Sequence, residues 1–220
     1  MKLLSINLAR SLWFFNLLEI NPKGLNLYPI IIPILVDSYK FKQYPSVNDV
    51  VDETKGVKFE YGEFINRGGN ALIINMTIFN DGITAETRSS TNDSDAFLTE
   101  ILTRLSQELQ LPFYKEILRK ICYASQVYVT TNKALELINP KVKEISKYLS
   151  NNASGFEEIS FELGGLTFWP DQKYTNKPFN FIFERILNVP FSENKYYSAA
   201  PLSTDKHLEL LNKLERILSK

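Results

Sequence analysis

Asp171, Glu193 and Lys195 are the residues whose types and order could carry out hydrolysis. Asp171 follows Pro170, while Glu193 and Lys195 flank Asn194. Two carboxylates can hold a magnesium ion, and a nearby ammonium group can assist the attacking water. That chemistry needs the carboxylates on adjacent strands, whereas Ser192–Lys195 reads as a turn. His207 is the sole histidine and Cys122 the sole cysteine, so zinc sites built from histidine pairs are excluded. A serine triad would have to recruit His207, which aligns with Phe97 at the head of an apolar helical stripe and is therefore expected to pack. Arg67-Gly68-Gly69-Asn70 reads as a turn, and no glycine-lysine-serine word follows a strand, so a phosphate loop is not expected. Asp93-Ser94-Asp95 starts like a calcium loop but lacks the glycine and distal glutamate, which leaves helix capping. The inventory calls for no cofactor and no resident metal.

Pro170-Asp171 with Glu193-Asn194-Lys195 resembles the PD…ExK signature of metal-dependent nucleases. The resemblance implies Asp171 and Glu193 as magnesium ligands and Lys195 as the group assisting water. A different chemistry is suggested by two strand-to-helix connections. Arg88, Ser90 and Thr91 precede one helix, and Lys195, Tyr196 and Tyr197 precede another. Hydroxyl groups and a cation beside a helix N-terminus can hold an anion or an acidic partner. Good caps would explain the same residues without a ligand.

Twenty-five basic and twenty-five acidic residues cancel, and nucleic-acid binders normally concentrate a basic excess. The most basic segment, 113–150, holds Lys115, Arg119, Lys120, Lys133, Lys141, Lys143 and Lys147; a solvated face is expected there. The longest unbroken apolar run, Pro29 to Val36, is too short to span a bilayer. One cysteine precludes an internal disulfide, which fits a reducing, cytoplasmic protein.

The elements that must position these residues repeat. Leu4, Ile6 and Leu8 alternate as a strand; a helix containing Pro33 ends near Tyr39; a linker covers roughly Lys42–Lys55. Strands follow at Val57–Tyr61, Leu72–Ile78 and from Ile83, with Asn80-Asp81-Gly82 as a hairpin turn favouring positive φ. A helix capped within Asn92–Asp95 then carries Phe97, Ile101, Leu105 and Leu109. The second half offers strands at Ile121–Val129, Ile159–Leu163, Leu166–Trp169, Phe179–Phe183 and Tyr196-Tyr197. One helix carries Val142, Ile145 and Leu149 on one side, and another packs His207, Leu211, Leu214 and Leu218 inward.

Three words echo along the chain. Ile20-Asn21-Pro22-Lys23 returns as Ile138-Asn139-Pro140-Lys141, Phe59-Glu60-Tyr61-Gly62 as Phe161-Glu162-Leu163-Gly164, and Ser94–Leu98 as Thr204–Leu208. They predict an α+β fold of duplicated β-α-β-β-β-α halves, residues 1–110 and 111–220, in one compact unit. The expected sheet is antiparallel, continuous or paired, with helices on one face. This element order is similar to the duplicated, saddle-shaped TATA-binding-protein layout. The first functional expectation is a non-catalytic protein-binding or assembly module, using protein or self-association partners. Trp13-Phe14-Phe15 and Tyr196-Tyr197 are its candidate exposed aromatics. Nucleic-acid binding on the sheet face through Lys115–Lys147 and nearby tyrosines is the second, and the metal-dependent nuclease is the third.

Overall fold

The strand read at Leu4–Leu8 runs much further, and its buried row is Ala9, Ser11 and Trp13, on the face opposite to Leu4, Ile6 and Leu8. Strand β1 spans Lys2–Phe14. In the computed structural model, residues 1–46, 49, 51–153, 159–173, 175 and 177–219 are described; positions 47, 48 and 50 of the expected linker lie outside them. After β1 come helices α1 (Leu17–Ile20) and α2 (Tyr28–Tyr39), strands β2 (Val57–Ile65), β3 (Ala71–Phe79) and β4 (Gly82–Thr87), and helix α3 (Thr91–Leu109). The second half has α4 (Tyr114–Ile117), β5 (Lys120–Thr130), α5 (Pro140–Asn152), β6 (Gly165–Phe168), β7 (Phe181–Arg185), β8 (Lys195–Ala200) and α6 (Thr204–Leu218). The fold is α+β, with an eight-stranded antiparallel sheet in the order β2-β3-β4-β1-β5-β8-β7-β6. Exchange each strand for its counterpart four places on, and the order reads the same from the other end.

Contacts gather into two units. One holds Leu8–Ser125 with Leu202–Thr204; the other holds Met1–Asn7, Gln126–Pro201 and Asp205–Lys220. In the first, Phe59, Ile74, Met76, Ala85, Phe97, Leu98 and Ile101 share one buried cluster with α2 residues Ile32 and Leu35. Phe97 is the aromatic hub, edge-on to Tyr39 and Phe64, a favoured geometry for rings. In the second, α6 lays Leu211, Leu214 and Leu218 on Val127, Val129, Phe183 and Tyr196.

Local chemistry explains several departures from the sequence reading. Helix α3 begins earlier than Asn92–Asp95, because Ser90 accepts a hydrogen bond from the Asp93 N–H at 3.1 Å. The β3–β4 hairpin forms where expected, yet none of Asn80, Asp81 and Gly82 has a positive φ. Gly82 is needed for space instead: a Cβ there would clash with the Trp13 carbonyl oxygen. Tyr61 does take a positive φ of 57° at a bulge in β2, and its N–H donates to the Asn75 side chain at 2.8 Å. Such bulges disrupt a strand's pairing. Ile159–Leu163 forms no strand; its ladder begins only at Gly165, paired with Glu184.

The echoed words sit in unlike settings. Asn21 closes a loop onto Leu25 with two side-chain hydrogen bonds, whereas Asn139 caps α5 by accepting from the Lys141 N–H. Gly62 lies under the Phe41 ring, with no room for a Cβ, while a Cβ on Gly164 would meet open space. What repeats is Ser-Thr at a helix start: Ser90-Thr91 and Ser203-Thr204. Each threonine's backbone N–H donates to the other's hydroxyl, at 3.1 and 3.0 Å. With Thr91 set on Thr204, Ser94 falls on His207, Leu98 on Leu211, Ile101 on Leu214 and Leu105 on Leu218, and all eight are buried. His207 therefore corresponds to Ser94, one helical turn from the expected match with Phe97.

Candidate functional site

Asp171 lies in the turn following Trp169. Its carboxylate accepts from the Lys173 N–H at 3.0 Å and pairs with the Lys173 ammonium at 3.0 Å. These hydrogen bonds, backbone first, hold its pKa below the ordinary carboxylate value. Glu193 ends a single turn of 3₁₀ helix at Phe191–Glu193 and pairs with Lys195 at 2.6 Å. Each carboxylate thus has its own neighbouring ammonium. Among the described residues, no group of three or more histidine, cysteine or acidic side chains could hold a metal ion.

The expected anion site at Arg88, Ser90 and Thr91 is occupied from within. Arg88 is exposed and Thr91 is buried. The carboxylate of Asp93 accepts from both the Ser89 and Ser90 hydroxyls, so the negative charge favoured at this helix start is built into the chain. Tyr196 is fully buried and stacked on Phe183 with ring centroids 4.5 Å apart. The Arg185 guanidinium lies over its ring at 5.3 Å and over Phe191 at 4.8 Å, while pairing with Glu162. Tyr197 is half-buried beside Tyr128, and burial is the main cause of its raised pKa. Trp13 and Phe15 are likewise buried; the Trp13 indole donates to Asp95 at 2.8 Å.

His207 and Ser198 are both buried, with 2.8 Å between Nε2 and Oγ. Ser198 gives its hydroxyl proton to the Ile182 carbonyl at 2.8 Å. Having one proton, it can only accept from the imidazole, so His207 is the donor. That polarity is the reverse of a general base activating a serine. Burial lowers the His207 pKa to about 4, keeping the ring neutral near pH 7.

The surface left over is on α5. The side of it read as apolar is open to solvent: Ile145 is 62 % exposed and Leu149 45 %, with neighbouring Tyr148 68 %. Among the described side chains of α5, only Ser146 is buried, donating to Glu136 at 2.7 Å. Lys141, Lys143 and Lys147 are exposed around the apolar residues and make no ion pair among the described residues. Two of these lysines stand in the first turn, which contains no acidic residue, although the helix dipole disfavours cations there. The same unit exposes Phe168 and Trp169 at the end of β6, the last strand in the sheet order. Sequence patterning found the stripe but not its direction. The hint was the crowding of lysines beside it.

No helix among the described residues is long and apolar enough to cross a membrane. No protein-family model matches the chain, and no curated protein matches it. Among solved structures, Methanococcus jannaschii TBP is similar with a TM-score of 0.44 and 12 % identity, covering 99 % of this chain and 97 % of that chain.

Proposed function

We propose that this chain is a non-catalytic protein-binding module whose contact surface is the outward face of α5. The observation that carries the reading is the exposure of Ile145, Tyr148 and Leu149 on a well-capped helix. Contiguous exposed apolar residues mark interaction surfaces more often than idle ones. The occupant is a protein segment presenting apolar side chains beside carboxylates, complementary to Lys141, Lys143 and Lys147. The two helix-start lysines favour this reading, since a local rule broken without structural gain is expected at functional sites.

The sheet-face nucleic-acid reading has less support. Arg10 on β1 is held by Glu86 at 2.7 Å, and Glu184 pairs in register with Tyr197. Carboxylates on that face oppose phosphate binding.

The test separates folding from binding. Lys141→Glu with Lys143→Glu should stabilise the fold by about 0.3–1 kcal/mol per site, because acids suit a helix start. The same change should abolish photocrosslinking from benzoylphenylalanine installed at Tyr148. Ile145→Asp should also remove the crosslink while leaving the melting temperature nearly unchanged, as this side chain buries little. A crosslink to an acidic protein segment is the expected product. Crosslinking mainly to nucleic acid, or a crosslink indifferent to all three substitutions, overturns the proposal.

A further inference from the structure

The unit formed by Leu8–Ser125 carries a pocket beside its core. It holds about 230 Å³ and is partly open to solvent, walled by Phe15, Ile31, Leu102 and Leu105 with the exposed Leu25 also in its lining. Most of its lining is apolar, and Tyr28 and Glu53 are among its few polar groups. The Tyr28 hydroxyl is shut off from solvent and makes no well-formed hydrogen bond among the described residues; its nearest acceptor is the Glu53 carboxylate. Burial first, then the charge and loose hydrogen bond of Glu53, raise the phenol's pKa. Each feature alone is a defect. Native folds close such gaps because the lining loses packing contacts, and a buried hydroxyl whose hydrogen bond is poorly made destabilises the fold. Both costs are relieved by one ligand that fills the void and bonds to the phenol.

We propose that this cavity binds a small, mainly apolar molecule carrying one hydrogen-bond-donating head group, an alcohol or an amine, seated between Tyr28 and Glu53. An alcohol oxygen can accept the phenol proton and donate its own to the carboxylate. An ammonium group can donate to both oxygens and also meets the carboxylate's charge. A head group that is itself anionic is repelled. A cavity of about 150 Å³ accommodates benzene, so this one has room for a ring with a short side chain, roughly nine heavy atoms. Apolar walls with a few convergent polar groups are the usual make-up of a small-molecule site. This site is independent of the α5 surface, and either can fail without the other.

The experiment uses the intact 220-residue chain with labelled leucine and isoleucine methyl groups. It is titrated with 2-phenylethanol, 2-phenylethylamine and 3-phenylpropanoate, and the methyl resonances are followed. The alcohol and amine should produce saturable shifts at Leu102, Leu105 and Ile31, with the carboxylate binding at least about tenfold more weakly. Glu53→Gln should bring the carboxylate to within about threefold of the alcohol. Leu105→Trp fills the cavity and should remove the shifts at Leu102 and Ile31. Ile31→Phe fills it from another lining position and should remove those at Leu102 and Leu105, so the test survives if one variant misfolds. Equal binding of carboxylate and alcohol overturns the proposal. So do saturable shifts confined to residues outside the cavity, or binding that persists in a folded, cavity-filled variant.

Discussion

A neutral imidazole sealed in a core makes folding sensitive to acid. The pKa of His207 is lowered from 6.5 to about 4 by burial. Between those values the unfolded chain binds a proton that the folded chain refuses. The resulting stabilisation is complete above pH 6.5 and is lost as the pH falls towards 4, amounting to about 3 kcal/mol over the window. Urea unfolding of the parent chain and of His207→Gln should therefore give curves that differ in slope between pH 7 and 4.5, with the variant flatter. Carboxylates contribute to both curves, among them Glu215, held low by its hydrogen bonds to the chain's own amino terminus and Thr131. The difference isolates the histidine. That His207 packs was legible from its place at the head of an apolar stripe. Its partner Ser198 was not, because nothing in a linear pattern reports which strand residue will face a given helix position.

At the scale of elements, the paired threonines give a direct test. Thr91→Val leaves the Thr204 N–H without its acceptor inside a buried contact, and should cost about 1–2 kcal/mol. Thr204→Val should do the same, and a double-mutant cycle in urea should show coupling above about 0.5 kcal/mol. Gly82→Ala should cost about 2–3 kcal/mol, because the obstacle is the backbone oxygen of Trp13, which cannot swing aside like a side chain. Strands β2, β3, β4 and β5 were legible because their buried rows alternate, and α3 and α6 because their stripes are wide. Two things misled: Ile159–Leu163 alternates without forming a strand, and the echoed words matched letters rather than hydrogen bonds. The α5 stripe was legible, but its direction was not. Patterning reports that one side is apolar; it cannot say whether that side meets the chain's own core.

For the molecule as a whole, charge and surface act together. Basic and acidic residues are equal in number, so the formal net charge at pH 7 is zero, and long-range repulsion between copies is weakest there. With apolar residues exposed on α5, self-association should be greatest near neutral pH in low salt and should fall at pH 9, as light scattering can measure. Ile145→Asp should lower it at both. The α+β class and the repeated element order were readable because turn chemistry and periodicity agree along most of the chain. The allotment of residues to compact units was not, since it depends on which strands pair. That allotment also has a consequence for synthesis. Leu8–Ser125 is nearly contiguous and can collapse once it has left the ribosome. Residues 2–7 emerge before it, yet their unit is completed only by Asp205–Lys220, so they must wait through the synthesis of the whole other unit before they find their place.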